Sequence, residues 1–135
     1  MSVRARYKLH VSVSSTTDEE RDLANPQSDV YTDALGEGGS AKYLVAGSAT
    51  LLPLQLPQVA SAKLLMIKTS VKDPTQTPVA LEFRKNSTTG EVWTVVPLGT
   101  SKEGILLTTC SGITEIYCSN SSAIDMEVTV VMAGD

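Results

Sequence analysis

Residues 3–14, VRARYKLHVSVS, alternate without interruption between apolar and polar side chains. Val3, Ala5, Tyr7, Leu9, Val11 and Val13 take one set of positions, and Arg4, Arg6, Lys8, His10, Ser12 and Ser14 the other. Successive side chains of a strand point to opposite faces, so the segment predicts a strand with one apolar and one basic face. From Ala41 onward comparable runs follow one another closely: 41–46 (AKYLVA), 49–56 (ATLLPLQL), 61–71 (SAKLLMIKTSV), 78–85 (PVALEFRK), 91–98 (EVWTVVPL), 104–110 (GILLTTC), 114–119 (TEIYCS) and 123–132 (AIDMEVTVVM). Turn residues separate them, among them Gly47-Ser48, Pro57-Gln58, Asp73-Pro74, the stretch from Asn86 to Gly90, and Ser111-Gly112. Short strands punctuated every eight to twelve residues or so predict a sandwich or barrel rather than alternating βα units.

Helical periodicity is nearly absent. Thr17 stands three residues before Glu20 as in a capping box, but Ala24-Asn25-Pro26 follows instead of an apolar stripe, which predicts one helical turn or a loop. Residues 14–40 are polar and rich in Asp and Gly, interrupted only by DVYTDAL, and LGEGGSA at 35–41 has the composition of a flexible connection. Pro53 cannot donate to a ladder, so its strand should lie at an edge or carry a bulge. Trp93, the single tryptophan, is expected in the core with Phe83 and Leu81. The prediction is therefore a single all-β domain over residues 1–135, an antiparallel β-sandwich of jelly-roll type, with a long polar loop or arm at 14–40 after the first strand.

Composition narrows the function. A chain of 135 residues is long enough for a core without staples, and 41% hydrophobic content is ordinary for a globular protein. The net charge of −4 argues against general affinity for nucleic acid or anionic membrane. No apolar run approaches the roughly 20 residues of a spanning helix, and the opening Met1-Ser2-Val3-Arg4 lacks the apolar region of a secretory signal, so the chain is expected to be made and kept in a cytosol or carried out as part of a larger particle. Cys110 and Cys118 either remain reduced and buried or bridge across a hairpin turning at Gly112.

Candidate chemistry is sparse. His10, the only histidine, would have to serve any catalytic triad, and it sits on the polar face of a regular strand. Asp125 and Glu127 share a strand face, but acid–base work needs one carboxyl in an apolar pocket. GEGGS lacks the Lys-Ser/Thr of a phosphate-binding loop, and Asp18, Glu19, Glu20 and Asp22 lack the spacing of a calcium loop. No catalytic residue, cofactor or metal is expected. Asn86-Ser87-Thr88 and Asn120-Ser121-Ser122 match the glycosylation triplet but read as turns. An aromatic content of 4% speaks against a single-strand nucleic-acid barrel, while Tyr31 and Tyr43 could offer platforms to a sugar.

Residues 43–133 resemble small all-β virion proteins of tailed bacteriophages. The likeness rests on Leu64–Lys68 (LLMIK), Val92-Trp93 ahead of PLG, the EGILLTT run and the IYCSN…DMEVTV ending. The resemblance implies a capsid decoration (cement) protein, or else a tail or fibre component, located in the virion and made in the host cytoplasm. Its partners would be the major capsid protein or another virion protein, in a homo-oligomer such as a trimer, with no nucleic acid or membrane involved. A carbohydrate- or receptor-binding module is the alternative.

The partner-binding candidates are Arg4, Arg6 and Lys8 on the basic face, Asp18, Glu19 and Glu20 in the acidic segment, and Tyr31. The basic face has two possible uses. The last strand, IDMEVTVVM, alternates in the complementary sense, and antiparallel pairing would set Lys8 opposite Asp125 and Arg6 opposite Glu127. Alternatively, the strand is donated to, or lies against, an acidic neighbour in an assembly.

Overall fold

The computed structural model describes residues 3–8, 12–14, 20–22, 30–35, 37–98 and 103–134, with side chains from 38 onward. The chain divides into two compact units, residues 1–36 and 37–135.

Among its described residues the larger unit holds eight strands: β5 (Glu37–Val45), β6 (Leu52–Leu54), β7 (Ala62–Val71), β8 (Leu81–Lys85), β9 (Val92–Val95), β10 (Glu103–Thr109), β11 (Ile116–Ser119) and β12 (Met126–Gly134). They form two four-stranded antiparallel sheets, ordered β10-β7-β12-β5 and β6-β11-β8-β9. First pairs with last (β5·β12), second with seventh (β6·β11), third with sixth (β7·β10) and fourth with fifth (β8·β9). That nesting is an eight-stranded antiparallel ribbon folded over on itself, and the contacts β7·β12 and β8·β11 knit the folded ribbon into sheets. The result is the jelly-roll order, an all-β antiparallel sandwich as the punctuation of the sequence predicts.

The core lies between the sheets. Val45, Leu65, Ile67, Met126, Val128, Val130 and Met132 reach inward from one, and Leu54, Leu81, Phe83, Val95, Ile116 and Cys118 from the other. Each fully buried large apolar side chain contributes roughly 1.5–3 kcal/mol, so this layer dominates the unit's stability. Trp93 stands directly across the ladder from Phe83, half-buried against the core, and its indole Nε1 donates to Glu91 Oε1 at 3.2 Å. Pro53 lies in β6, at the end of its sheet, the edge position in which a strand tolerates proline.

Two asparagines fasten the loops. Asn120 is fully buried; its Nδ2 donates to Ile124 O at 2.7 Å, and its Oδ1 accepts from Ser122 N at 3.1 Å and Ser122 Oγ at 2.7 Å. Asn86 adopts φ 63°, a left-handed conformation that Asn tolerates, and brackets the 112–115 turn through Nδ2 to Gly112 O and Oδ1 from Thr114 N.

Among its described residues the smaller unit has two antiparallel pairs, β1 (Val3–Lys8) with β4 (Val30–Leu35) and β2 (Ser12–Ser14) with β3 (Glu20–Asp22). Residues 14–40, read from composition as a polar loop, thus include β3 and β4, and β5 begins within the supposed connection, pairing Glu37 with Gly134. Glu20–Asp22 is a strand and not part of a helical turn.

The expected pairing of the first and last strands does not occur. β1 belongs to a different sheet from β12, and both edges of β12 are already occupied, by β5 and β7. The carboxylates assigned to the basic strand are used locally: Asp125 Oδ1 accepts from Gly47 N at 2.9 Å, and Glu127 Oε2 pairs with Lys42 Nζ at 3.0 Å. A register argument between two alternating strands cannot reveal that a third strand has taken the partner.

Candidate assembly surfaces

Of the sequence-predicted site residues, Arg4, Arg6 and Lys8 lie on β1, Tyr31 on β4 and Glu20 on β3; Asp18, Glu19 and His10 fall outside the described residues. The β1·β4 register sets Arg4 opposite Ala34, Arg6 opposite Thr32 and Lys8 opposite Val30, and places Tyr7 opposite Tyr31. In this register none of the three cations stands across from a carboxylate; Asp33 stands opposite Ala5. Glu20 pairs with Ser14 in the separate β2·β3 ladder, so the acidic and basic candidates are not brought into one ladder.

On the larger unit the outer face of the β10-β7-β12-β5 sheet is unusual. Registers align Leu107, Met66 and Val131 in one row across β10, β7 and β12, with Ile105 in the adjoining row on one side and Thr109, Leu64 and Ala133 in the row on the other. Ile105 is 57% exposed and Leu107 43%, while Met66, Leu64 and Val131 are half-buried. Charged side chains border this stripe as matched pairs, Lys68–Glu103 at 3.0 Å and Lys42–Glu127 at 3.0 Å. None of these apolar residues was singled out from the sequence as a site. The signal is in the runs Leu64–Ile67, Ile105–Leu107 and Val130–Ala133, which stay apolar where a half-solvated antiparallel strand would alternate.

The outer face of the second sheet is more polar. Ser119, Glu82 and Thr94 share a row across β11, β8 and β9, beside the row Pro53, Tyr117, Arg84 and Val92. A shallow depression of about 190 Å³ lies along the first of these, lined also by Ser121. Glu82 Oε1 is held by Arg84 Nη2 at 3.0 Å, and the Tyr117 hydroxyl donates to Glu115 Oε2 at 2.8 Å, which raises its pKa. Tyr43, considered as a sugar platform, instead packs against the core with its hydroxyl buried, and burial raises its pKa.

A larger groove of about 530 Å³ opens between residues 56–60 and 113–114 and has no titratable side chain among its lining residues. Among the described residues no group of three His, Cys, Asp or Glu is placed to hold a metal. Cys110 and Cys118 are both free thiols; β10, just before Cys110, and β11, which carries Cys118, lie in opposite sheets, so no hairpin joins the pair. Burial pushes the Cys118 thiol up to about 12 and raises that of Cys110, the latter partly offset by Lys85, so neither is an activated nucleophile.

The fold defines an all-β protein of the jelly-roll class. No family model and no curated protein matches the chain. Among solved structures, one from Bacillus endospore appendages, described as a novel family of disulfide-linked pili, is similar at 14% identity, covering 73% of this chain and 88% of that one with a TM-score of 0.43. So low an overlap transfers nothing from that protein, and the jelly-roll assignment rests on this chain's own strand order.

Proposed function

We propose that this chain is a non-enzymatic structural protein of a phage virion, a capsid decoration protein whose smaller unit clasps a neighbouring virion subunit and stabilises the shell. The observation that carries the reading is the β1·β4 register, which sets Arg4, Arg6 and Lys8 opposite Ala34, Thr32 and Val30 and none of them opposite a carboxylate. A two-stranded sheet is at best marginally stable alone in water, and docking on a neighbouring subunit would stabilise β1·β4. Three cations in a row match an acidic protein surface, which would guide docking and fix its register. A tail or fibre position would use the same contact on a different neighbour.

Particles that lack the protein should keep their shape but lose heat resistance, and adding the purified chain back should restore it. The triple variant Arg4→Gln, Arg6→Gln, Lys8→Gln should bind such particles roughly 3- to 150-fold more weakly, taking about 0.2–1 kcal/mol for each exposed pair. Particles equally heat-resistant without the chain, or full restoration by the variant, would overturn the proposal.

A second reading is supported by the row Ser119, Glu82 and Thr94 beside Tyr117 and Arg84, which offers hydroxyls, a carboxylate, a guanidinium and a ring to a sugar. A glycan array would decide it. Sugar binding abolished by Glu82→Ala, with no association to particles, would replace the structural reading by a receptor-binding one.

A further inference from the structure

The geometry points to the outer face of the β10-β7-β12-β5 sheet as an interface with a second copy of this chain. The inference stands on that face alone, and its failure would leave the reading of the smaller unit untouched. Three neighbouring strands depart from alternation at positions that the registers bring together. Leu107 lies across from Met66, and Met66 across from Val131, all on the outer side; Leu106, Ile67 and Val130 fill the inner side of the same ladders. Apolar side chains on both faces of adjacent strands are the pattern of a sheet covered on both sides. A contiguous apolar patch rimmed by polar residues marks an interaction surface.

The rim identifies the occupant. It carries two acids, Glu103 and Glu127, and two bases, Lys68 and Lys42, each acid held by a base at 3.0 Å. Such a border is neutral in a chain of net charge −4, so it selects neither a basic nor an acidic partner. A copy of the same face meets it without net repulsion, and the four charges can exchange partners between copies. Self-complementarity of this kind is what a two-fold interface requires, since one patch must meet itself.

Size agrees. Four strands about 4.8 Å apart and nine residues rising about 3.4 Å each give a face of roughly 19 by 30 Å, or about 600 Å². That lies somewhat below the ~800 Å² that each partner contributes to a standard interface, which predicts a concentration-dependent dimer rather than a permanent one. Leu107 and Met66, central in the apolar row, are its anchors.

The test is sedimentation velocity on the full chain over a concentration series. The wild type should pass from monomer to dimer, and the double variant Met66→Glu, Leu107→Glu should raise the dissociation constant about tenfold or more. The thermal transition of the larger unit, followed by the emission of Trp93 on the opposite sheet, should hardly move. If the double variant fails to fold, Ile105→Glu replaces it, because that side chain is 57% exposed and contributes little to the core. A wild type that stays monomeric at every concentration overturns the proposal, and so does a folded variant that dimerises like the wild type. In a Leu107→Cys chain the new thiol should label freely at low concentration and slowly at high concentration. Protection independent of concentration would assign the cover to residues 1–36 and overturn the proposal as well.

Discussion

Replacing Asn120 by Ala should destabilise the larger unit far more than removing the side chain of Asn86, although each asparagine ties a loop by several hydrogen bonds. Asn120 is 0% exposed and makes three short bonds, to Ile124 O at 2.7 Å and from Ser122 N and Oγ at 3.1 and 2.7 Å. Its further contacts, to Val45 O and Ala46 O, are both 3.4 Å long and add little. At about 1 kcal/mol net per good bond the loss is ~3 kcal/mol, and groups left buried without a partner would raise it. Asn86 also donates to Gly112 O at 2.6 Å and accepts from Thr114 N at 2.8 Å, but it is exposed, and water replaces what is removed. Asn86→Gly, chosen because glycine accepts the φ of 63°, should therefore cost about 1 kcal/mol or less. Urea unfolding read by Trp93 fluorescence reports on this unit alone. The expected result is a lowered midpoint for Asn120→Ala at unchanged slope, and a melting temperature lower by about 12 °C or more. Equal costs for the two variants would refute the reasoning, because burial would then not decide the value of these bonds.

Three further outcomes follow from the packing. Phe83→Ala, which empties a fully buried site opposite Trp93, should cost about 3–5 kcal/mol in the same urea assay; a loss under about 1 kcal/mol would mean that the sheets close over the gap. Gly104→Ala would place a Cβ 2.5 Å from Thr69 Oγ1 and 2.8 Å from Val95 Cγ1, overpacking the space between the sheets by about 1–3 kcal/mol, and an unchanged midpoint would contradict that closeness. The Cys118 thiol, pushed up from 9.0 to about 12 by burial, keeps in the folded state a proton that the unfolded chain releases. Its contribution is complete below pH 9 and is lost as pH rises toward 12, so the wild-type urea midpoint should fall more steeply over that window than that of Cys118→Ala; parallel slopes would sink this account.

The jelly-roll frame was legible because alternation and turns are local. The runs containing Leu65, Phe83, Cys118 and Val128 bury the residues their patterns imply, and Pro53 announced an edge that the sheet order supplies. Segments whose structure depends on distant partners were not legible in this way. Glu37–Ser40, rich in glycine, reads as a connection, yet it is a strand because Val131–Gly134 supplies the ladder. Pairing energy from a partner outweighs the local preference of Gly38 and Gly39 for irregular backbone. The DVYTDAL stretch is similar: β4 exists because β1 lies beside it, and its own alternation is only partial.

The candidate surfaces were legible by the same logic but read on the wrong scale. Opposite charges near the two ends of the chain suggested a pair, but Asp125 and Glu127 are taken by Gly47 N and Lys42, because charge complementarity is satisfied by whichever partner topology brings near. Lys42 reaches Glu127 because β5 and β12 are the first and last strands of the folded ribbon, which no pairwise comparison contains. Conversely, Leu64–Ile67 alone reads as a buried strand, and Ile105–Leu107 alone reads likewise. Only the registers β10·β7 and β7·β12 show that the surplus apolar side chains, those on the outer side, fall in one row. An isolated exposed leucine needs no explanation on a protein surface. Three strands that each carry an outward apolar residue at the same level do need one, because alternation with polar residues was available at every one of those positions. The departure from alternation, and not the hydrophobicity of any single residue, is what the inferred interface rests on.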